Sequence, residues 1–390
     1  MPVLSPAVVV DAVRTPSGRG KPGGALSGVH PADLLATTLT ALLERTGIDP
    51  ARIDDVIAGC VGQAGDQATN VARTALLTAG YPESVPATTV DRQCGSAQQA
   101  LHFAAQGVMS GAYDVVVAGG VESMSRVPLG FPGRDGKPFA PLAGRYPEGL
   151  VGQGVSAEII AGRWKLGRRE LDEFAARSHE LAAARARAGD FAREIVPVGE
   201  VAADETVRPG TTADQLAGLR ASFQDDALGE RFPEIGWHIT PGNSSPLTDG
   251  ASAALVTSEA KAAELGLAPR ARLTGFAVTG SDPLLMLTGV IPATQRLLDR
   301  TGLTVDDIDV FEVNEAFAPV PLVWARELGV DLAKVNPRGG AIALGHPMGA
   351  SGIRILATLI SHLEATGGRR GVITMCEGGG MANATLVELV

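Results

Sequence analysis

RIDDVIAG, residues 52–59, returns near the far end of the chain as TVDDIDVF, residues 304–311. Each begins on a pair of aspartates and runs into a short apolar stretch that reads as a strand. Aligning Ile53 with Val305 sets the copies 252 residues apart, and the same spacing carries Cys94 onto His346. A register held across this much chain marks an internal duplication. On it, one copy has a thiol where the other has an imidazole, each after a strand and at the start of a helix.

The flanking sequence fits a repeated α/β unit. In the first third, AVVVDAV (7–13), DVIAG (55–59), TTVDRQ (88–93) and DVVVAGG (114–120) read as strands. In the last third, ARLTGFAVTG (271–280), DIDVFEV (307–313), GGAIALG (339–345) and GVITMCEGGG (371–380) do the same. Helical patterns separate them, and such alternation predicts α/β architecture of the parallel type. The middle of the chain differs. SRVPLGFPGRDGKPFAPLAGRYPEG (125–149) is Pro/Gly-rich loop, and RRELDEFAARSHELAAARARAGDF (168–191) is a strongly amphipathic helix. The expected domains are a front half over 1–120, resuming at about 249–268, an inserted segment over 121–248, and a rear half over 269–390.

Composition narrows the function. Hydrophobic residues make up 45% of the chain and charged ones 19%, enough for a sizeable core. A formal net charge of −10, with no basic run longer than a doublet, speaks against a nucleic-acid partner. No apolar stretch is long enough for a membrane span, and the N-terminus lacks the basic region of a signal peptide. Three cysteines at unpaired spacing predict free thiols in a reducing cytoplasm. No CxxC, HxH or HExxH spacing occurs, so no metal site is expected.

Four short motifs carry the chemistry. DRQCGSAQQA (91–100) puts Cys94 just ahead of a helix, where unpaired N–H groups and about half a positive charge favour thiolate. GGAIALGHPMGASG (339–352) locks His346 between Gly345 and Pro347. MCEGGG (375–380) places Cys376 at a strand end before three glycines, whose N–H groups can line an oxyanion site. VNEAFAP (313–319) sets Asn314 at another strand end. A lone cysteine is more often a small core residue, and Cys60 is read so. Two thiols and an imidazole can supply a nucleophile, its base and a second proton carrier without metal or redox cofactor.

Taken together, these motifs resemble the thiolase family in order and approximate spacing. VVDAVRTP (9–16) and GNSSPLTDGASA (242–253) extend the resemblance over essentially the whole chain. It implies a duplicated five-layer αβαβα sandwich with an inserted loop domain. It also implies an acyl-CoA acyltransferase that cleaves 3-ketoacyl-CoA with CoA, or runs the reverse Claisen condensation, as a homodimer or homotetramer. On this resemblance Cys94 is the acylated nucleophile, His346 takes its proton, and Cys376 handles the α-carbon proton. Asn314 holds a water for one oxyanion hole, and the N–H groups of Cys94 and Gly378 form the second. Ser245 would contact the pantetheine of CoA and Arg208 its adenosine phosphate end. CoA and acyl-CoA enter as substrates, with no permanently bound cofactor.

Three positions depart from the family pattern. Gly152-Gln153-Gly154 stands where short-chain biosynthetic members carry His-Met before a glycine, which points to a roomier, degradative pocket for medium or bulky acyl groups. Pro246 replaces a usual glycine, and Glu377 puts a carboxylate beside Cys376, where like-charge repulsion would raise the thiol's pKa. The alternatives are an acetoacetyl-CoA-forming acetyltransferase, a ketosynthase-type condensing enzyme and a non-catalytic relative that kept the fold.

Overall fold

The structure, a computed structural model, describes residues 6–390; residues 1–5, part of the stretch scanned for a leader, lie outside the described residues. The front half runs β1 (Ala7–Arg14), β2 (Gly18–Arg19), α1 (Pro31–Thr46), β3 (Asp55–Gly59), α2 (Val71–Thr78), β4 (Ala87–Val90), α3 (Ser96–Ser110) and β5 (Val115–Ser123). Between β5 and the strand that completes this half come α4 (Gln153–Arg163), α5 (Arg168–Ala188), α6 (Ala213–Ala217) and α7 (Asp226–Arg231). The half then closes with β6 (Thr248–Ser258) and α8 (Glu259–Leu265). The rear half is β7 (Ala271–Gly280), α9 (Val290–Thr301), β8 (Val310–Val313), α10 (Pro319–Leu328), α11 (Ala341–Leu344), α12 (Ser351–Thr366), β9 (Arg370–Glu377) and β10 (Met381–Leu389).

The strand order β4-β3-β5-β6-β1-β7-β10-β9-β8 is a near-palindrome: β1, β6, β5 and β3 have counterparts in β7, β10, β9 and β8. The halves meet where β1 and β7 pair antiparallel over Ala7–Val9 and Ala271–Leu273 only. Within each half the strands next to the crossover helices are parallel, β3 with β4 and β5, and β8 with β9. Helices α3 and α12 pack on one another between the two half-sheets, and their Ala, Leu and Ile side chains share one core with strands of both halves. On the outside, α1 and α2 cover the front half-sheet, and α9 and α10 the rear. These are the five layers. The inserted helices α4 and α5 bury Ile160, Leu171 and Phe174 against Val313, Phe317 and Val323 of the rear half.

Equivalent elements lie 255 residues apart, not 252: Ser96 and Ser351 open α3 and α12, Gly47 and Gly302 cap α1 and α9, and Val115 and Arg370 open β5 and β9. The shorter spacing matched two aspartate pairs that are not equivalent. Asp306 and Asp307 lie in a 3₁₀ turn whose front-half counterpart is Pro50–Arg52. The buried residues closing these turns are Ile53 and Ile308, because packing fixes a core position and leaves a solvated one free. Cys94 therefore corresponds to Gly349, and His346 has no structural counterpart in Cys94.

GGAIALG also differs from its reading as a strand. Its centre forms the helical turn α11, since the N–H groups that open it bond to side chains instead of a neighbouring strand. Gly340 N–H donates to Ser178 Oγ (3.0 Å) and Ile342 N–H to Glu315 Oε2 (3.1 Å). Strand β4 ends at Val90, short of residues 91–93. The long strands β6 and β10 escape a reading by alternation because they are buried along nearly their whole length.

Candidate active site

Cys94 sits in a tight turn between β4 and α3. Gln93, just before it, has φ +49, an uncommon conformation for a residue with a side chain. Hydrogen bonds hold it there: Gln93 N–H donates to Asp91 Oδ1 (2.7 Å), while Ser96 Oγ donates to Gln93 O (2.6 Å) and accepts from Arg92 N–H (2.9 Å). The thiol is buried, 3% exposed. Burial first, then the neighbouring Glu377, push it up to about 12, opposed only in part by its own backbone N–H and by the nearby Gln153 amide. The expected lowering by the helix end does not prevail, because Cys94 lies two residues ahead of Ser96 in a dry pocket where desolvation dominates.

His346 lies in the loop between α11 and α12. Its N–H donates to Thr248 Oγ1 (2.9 Å), and a Cβ at Gly345, φ +83, would run into the Thr248 side chain. The ring Nδ1 is 2.7 Å from Ser351 Oγ, whose single proton goes to Pro347 O (2.8 Å). Ser351 must therefore accept, so Nδ1 carries the hydrogen and Nε2 holds the lone pair. Asn314 Nδ2 approaches Nε2 at 3.4 Å. Burial, helped by Arg354, lowers His346 to about 3, so the ring is neutral. Asn314 continues β8 by donating its N–H to Thr374 O (3.0 Å), and its Oδ1 is buried without a partner among the described residues.

Cys376, on β9, is pushed well above the ordinary thiol range by burial, then by Cys94, then by Glu377. The two sulfurs are thus electrostatic neighbours, one from each half. Beside them the β9–β10 hairpin turns at Gly378–Gly380, with Gly379 and Gly380 at φ +83 and +81. The Cα of Gly378 faces the side-chain amides of Gln93 and Gln153. The Gly378 N–H finds no backbone acceptor among the described residues, and the Cys94 N–H is turned to its own thiol. What lets the halves close on this spot is the absence of side chains: a Cβ on Gly59 would meet the backbone of Ser96, Ala97 and Gly349, and one on Gly352 would meet Gln98.

Cys94, Cys376 and Gly378 thus form one group, and His346 and Asn314 form a contacting pair. Ser245 reaches the Asn314 loop, with both its N–H (3.0 Å) and its Oγ (3.2 Å) on Ala316 O. Arg208 stands apart: it is exposed, and its N–H donates to His179 Nδ1 (3.2 Å) on α5. Sequence reasoning passed over three supports. Gln153 was noted for what it replaces, not for its amide beside Cys94. Ser351 orients His346. Glu315, next to Asn314, accepts from Ser178 (2.7 Å), Asn336 (2.8 Å) and Ile342, tying the insertion to the rear half. A glutamate inside the apolar stretch VNEAFAP was the available signal for it, since a buried carboxylate must have donors.

The geometry matches known proteins over its full extent. Residues 7–260 fit the family model for the thiolase N-terminal domain, and residues 267–389 the one for the thiolase C-terminal domain. A steroid 3-ketoacyl-CoA thiolase of Mycobacterium tuberculosis is 48% identical over 99% of this chain and 95% of its own. A 3-ketoacyl-CoA thiolase of Pseudoalteromonas translucida is 46% identical over 98% of both. The crystal structure of the Bacillus anthracis acetyl-CoA acetyltransferase superposes with a TM-score of 0.89, at 37% identity and complete coverage of both chains. Two domain models laid end to end over a duplicated scaffold, with full-length relatives behind them, leave one assignment: the chain belongs to the thiolase family of acyl-CoA acyltransferases.

Proposed function

We propose that the chain cleaves 3-ketoacyl-CoA with free CoA through an acyl-Cys94 intermediate. The observation that carries this reading is the closeness of two buried thiols, one from each half, in a chain whose neutral His346 keeps its lone pair on Nε2. Because burial holds Cys94 in its thiol form, the proton leaves as the sulfur attacks. Cys94 Sγ bonds to the 3-keto carbon and His346 Nε2 takes the proton. The bond between C2 and C3 then breaks, and the enolate of acetyl-CoA takes a proton from Cys376. The incoming CoA thiol gives its proton to the Cys376 thiolate and attacks the thioester. Cys94 leaves as thiolate and recovers its proton from His346, which restores the resting state.

Charge develops on two oxygens in this sequence. The N–H groups of Cys94 and Gly378 suit one oxyanion, while Asn314 and His346 suit the other, with a water held by Asn314. Ser245 is assigned to pantetheine and Arg208 to the phosphate end of CoA, both on the segment over 121–248. Gly152 offers open space in place of a side chain, which favours medium or bulky acyl groups. Exposed Leu129 and Phe139, on the loop that follows β5, supply apolar surface for a homodimer or homotetramer. Three free thiols suit the reducing cytoplasm, and no helix among the described residues is long and apolar enough to cross a membrane.

Mass spectrometry after mixing with an acyl-CoA tests the central step. An acyl adduct on the Cys94 peptide is expected, and an adduct elsewhere, or none, would overturn it. Cleavage rates across 3-ketoacyl-CoA esters of increasing bulk decide the substrate class. Highest activity with acetoacetyl-CoA would favour the acetyltransferase named for the solved Bacillus anthracis structure.

A further inference from the structure

Glu377 ends β9 immediately after Cys376 and is completely buried. Neither carboxylate oxygen has a hydrogen-bond partner among the described residues. The carboxyl group lies directly against the Cα of Gly95, so closely that any Cβ there would overlap it. Asn383 of β10 crowds the same side of Gly95, donates Nδ2–H to Gly95 O (3.2 Å), and leaves its own Oδ1 without a partner. The charged and titratable groups around Glu377 are Asp91, Arg92 and Cys94 from the turn before α3 and Cys376 from its own strand. Farther along α3, His102 is bonded to Thr385 Oγ1 (2.7 Å). Arg92 reaches Met381 Sδ (3.9 Å) and makes no ion pair with Glu377.

The duplication supplies an internal control. Glu122, next to last on β5, lies at the 255-residue spacing from Glu377, the last residue of β9. It accepts from Val61 N–H (3.0 Å), Gly62 N–H (2.9 Å), Gln67 Nε2 (3.0 Å) and Gly349 N–H (2.9 Å). Burial raises Glu122 too, but these four donors oppose that shift and favour its charged form. Glu377, at the matching place, has lost every one of those donors and faces two sulfurs.

We propose that Glu377 is a positioning residue that serves the reaction as an uncharged carboxylic acid, filling the space over Gly95 while withholding a negative charge from the two thiols. Burial raises it to about 8, with Arg92 opposing and Asp91 assisting, so the acid form prevails at neutral pH. Once ionised, it would oppose ionisation of Cys94 and Cys376 alike. The device is a brake on both sulfurs that engages as pH rises. The inference rests on the reading of these two thiols as the reactive pair, but it is testable without turnover.

The test is alkylation by iodoacetamide, followed on the Cys94 and Cys376 peptides by mass spectrometry, at pH 6.5 and 9.5. The wild-type chain is compared with Glu377→Gln and Glu377→Met, two neutral replacements of similar length. Alkylation follows thiolate and so rises with pH. In the wild type Glu377 ionises within that range and damps the rise by about tenfold, the size expected of an adjacent like charge. The ratio of the two rates should therefore be about tenfold larger in either variant. A purely structural role would move both rates and leave the ratio alone. Equal ratios in whichever variant folds would mean that Glu377 is neutral throughout, or charged throughout with Arg92 as its partner, and would end the proposal. Failure to find acyl-Cys94 would instead remove the thiolysis reading while leaving this result standing.

Discussion

The front and rear halves share one scaffold and use it differently. At the helix that enters the central layer, the front half presents Cys94 and the rear half Gly349. The thiol sits beside a second sulfur, whereas the glycine N–H is spent on Glu122. At the end of the strand behind, the front half has a carboxylate with four donors and the rear half one with none. Satisfied polar groups therefore lie behind the rear loop and unsatisfied ones behind the nucleophile turn. A duplicated fold can divide its labour this way because the packing that specifies the backbone is the same in both copies, while polar partners are free to diverge.

The widest separation between the halves is expected at the sulfurs. Cys94→Ser should abolish the acyl-enzyme and lower turnover by about 10⁴-fold or more, while Cys376→Ser should leave acylation from acyl-CoA measurable and block exchange of the α-proton with deuterium. Mass spectrometry and NMR exchange read the two, and equal loss of acylation would break the division of labour. The paired glutamates come next. Glu122→Ala strands three buried N–H groups and should cost ~3 kcal/mol in urea denaturation, whereas Glu377→Ala should change stability by less than ~1 kcal/mol. Comparable losses would erase the contrast drawn above.

The two helix-opening serines give a smaller effect. Ser351→Ala removes the partner of His346 Nδ1 and should lower kcat by about tenfold with little change in KM. Ser96→Ala breaks bonds to Gln93 and Arg92 alone and should appear chiefly as a loss of ~1 kcal/mol in stability. The smallest expected signal is in the pH dependence of melting. Burial lowers His102 and His346 to about 3, so the unfolded chain binds protons that the folded one refuses, and stability falls as pH drops below about 6.5. Glu377 acts with the opposite sign: the folded chain keeps its proton up to about 8, and stability falls as pH climbs from about 4.5 through that range. Calorimetry should therefore find that Glu377→Gln gains on the wild type between pH 5 and 8 and not below.

Much of the site was legible because its motifs are local. Cys94, His346, Cys376 and Asn314 each sit at a strand end or helix start flanked by glycine or proline, and such breakpoints show in one dimension. What stayed hidden depends on contacts between distant segments. GGAIALG has the apolar content of a strand, but Ser178 and Glu315 arrive from elsewhere to satisfy its amides, and it turns into a helix. The 252-residue register followed surface aspartates when the buried isoleucines held the true correspondence. Gln153 carries no local mark of its place beside Cys94.

The chain's own pattern of repeats, breakpoints and scarce reactive side chains was sufficient for the duplicated α/β scaffold and for the candidate residues placed on it, since propensity and periodicity act between near neighbours. Tertiary structure alone decided the protonation of those residues. Whether a thiol, an imidazole or a carboxyl is charged depends on the water removed from around it and on the donors brought to it, and both are set by segments that meet only in the folded chain.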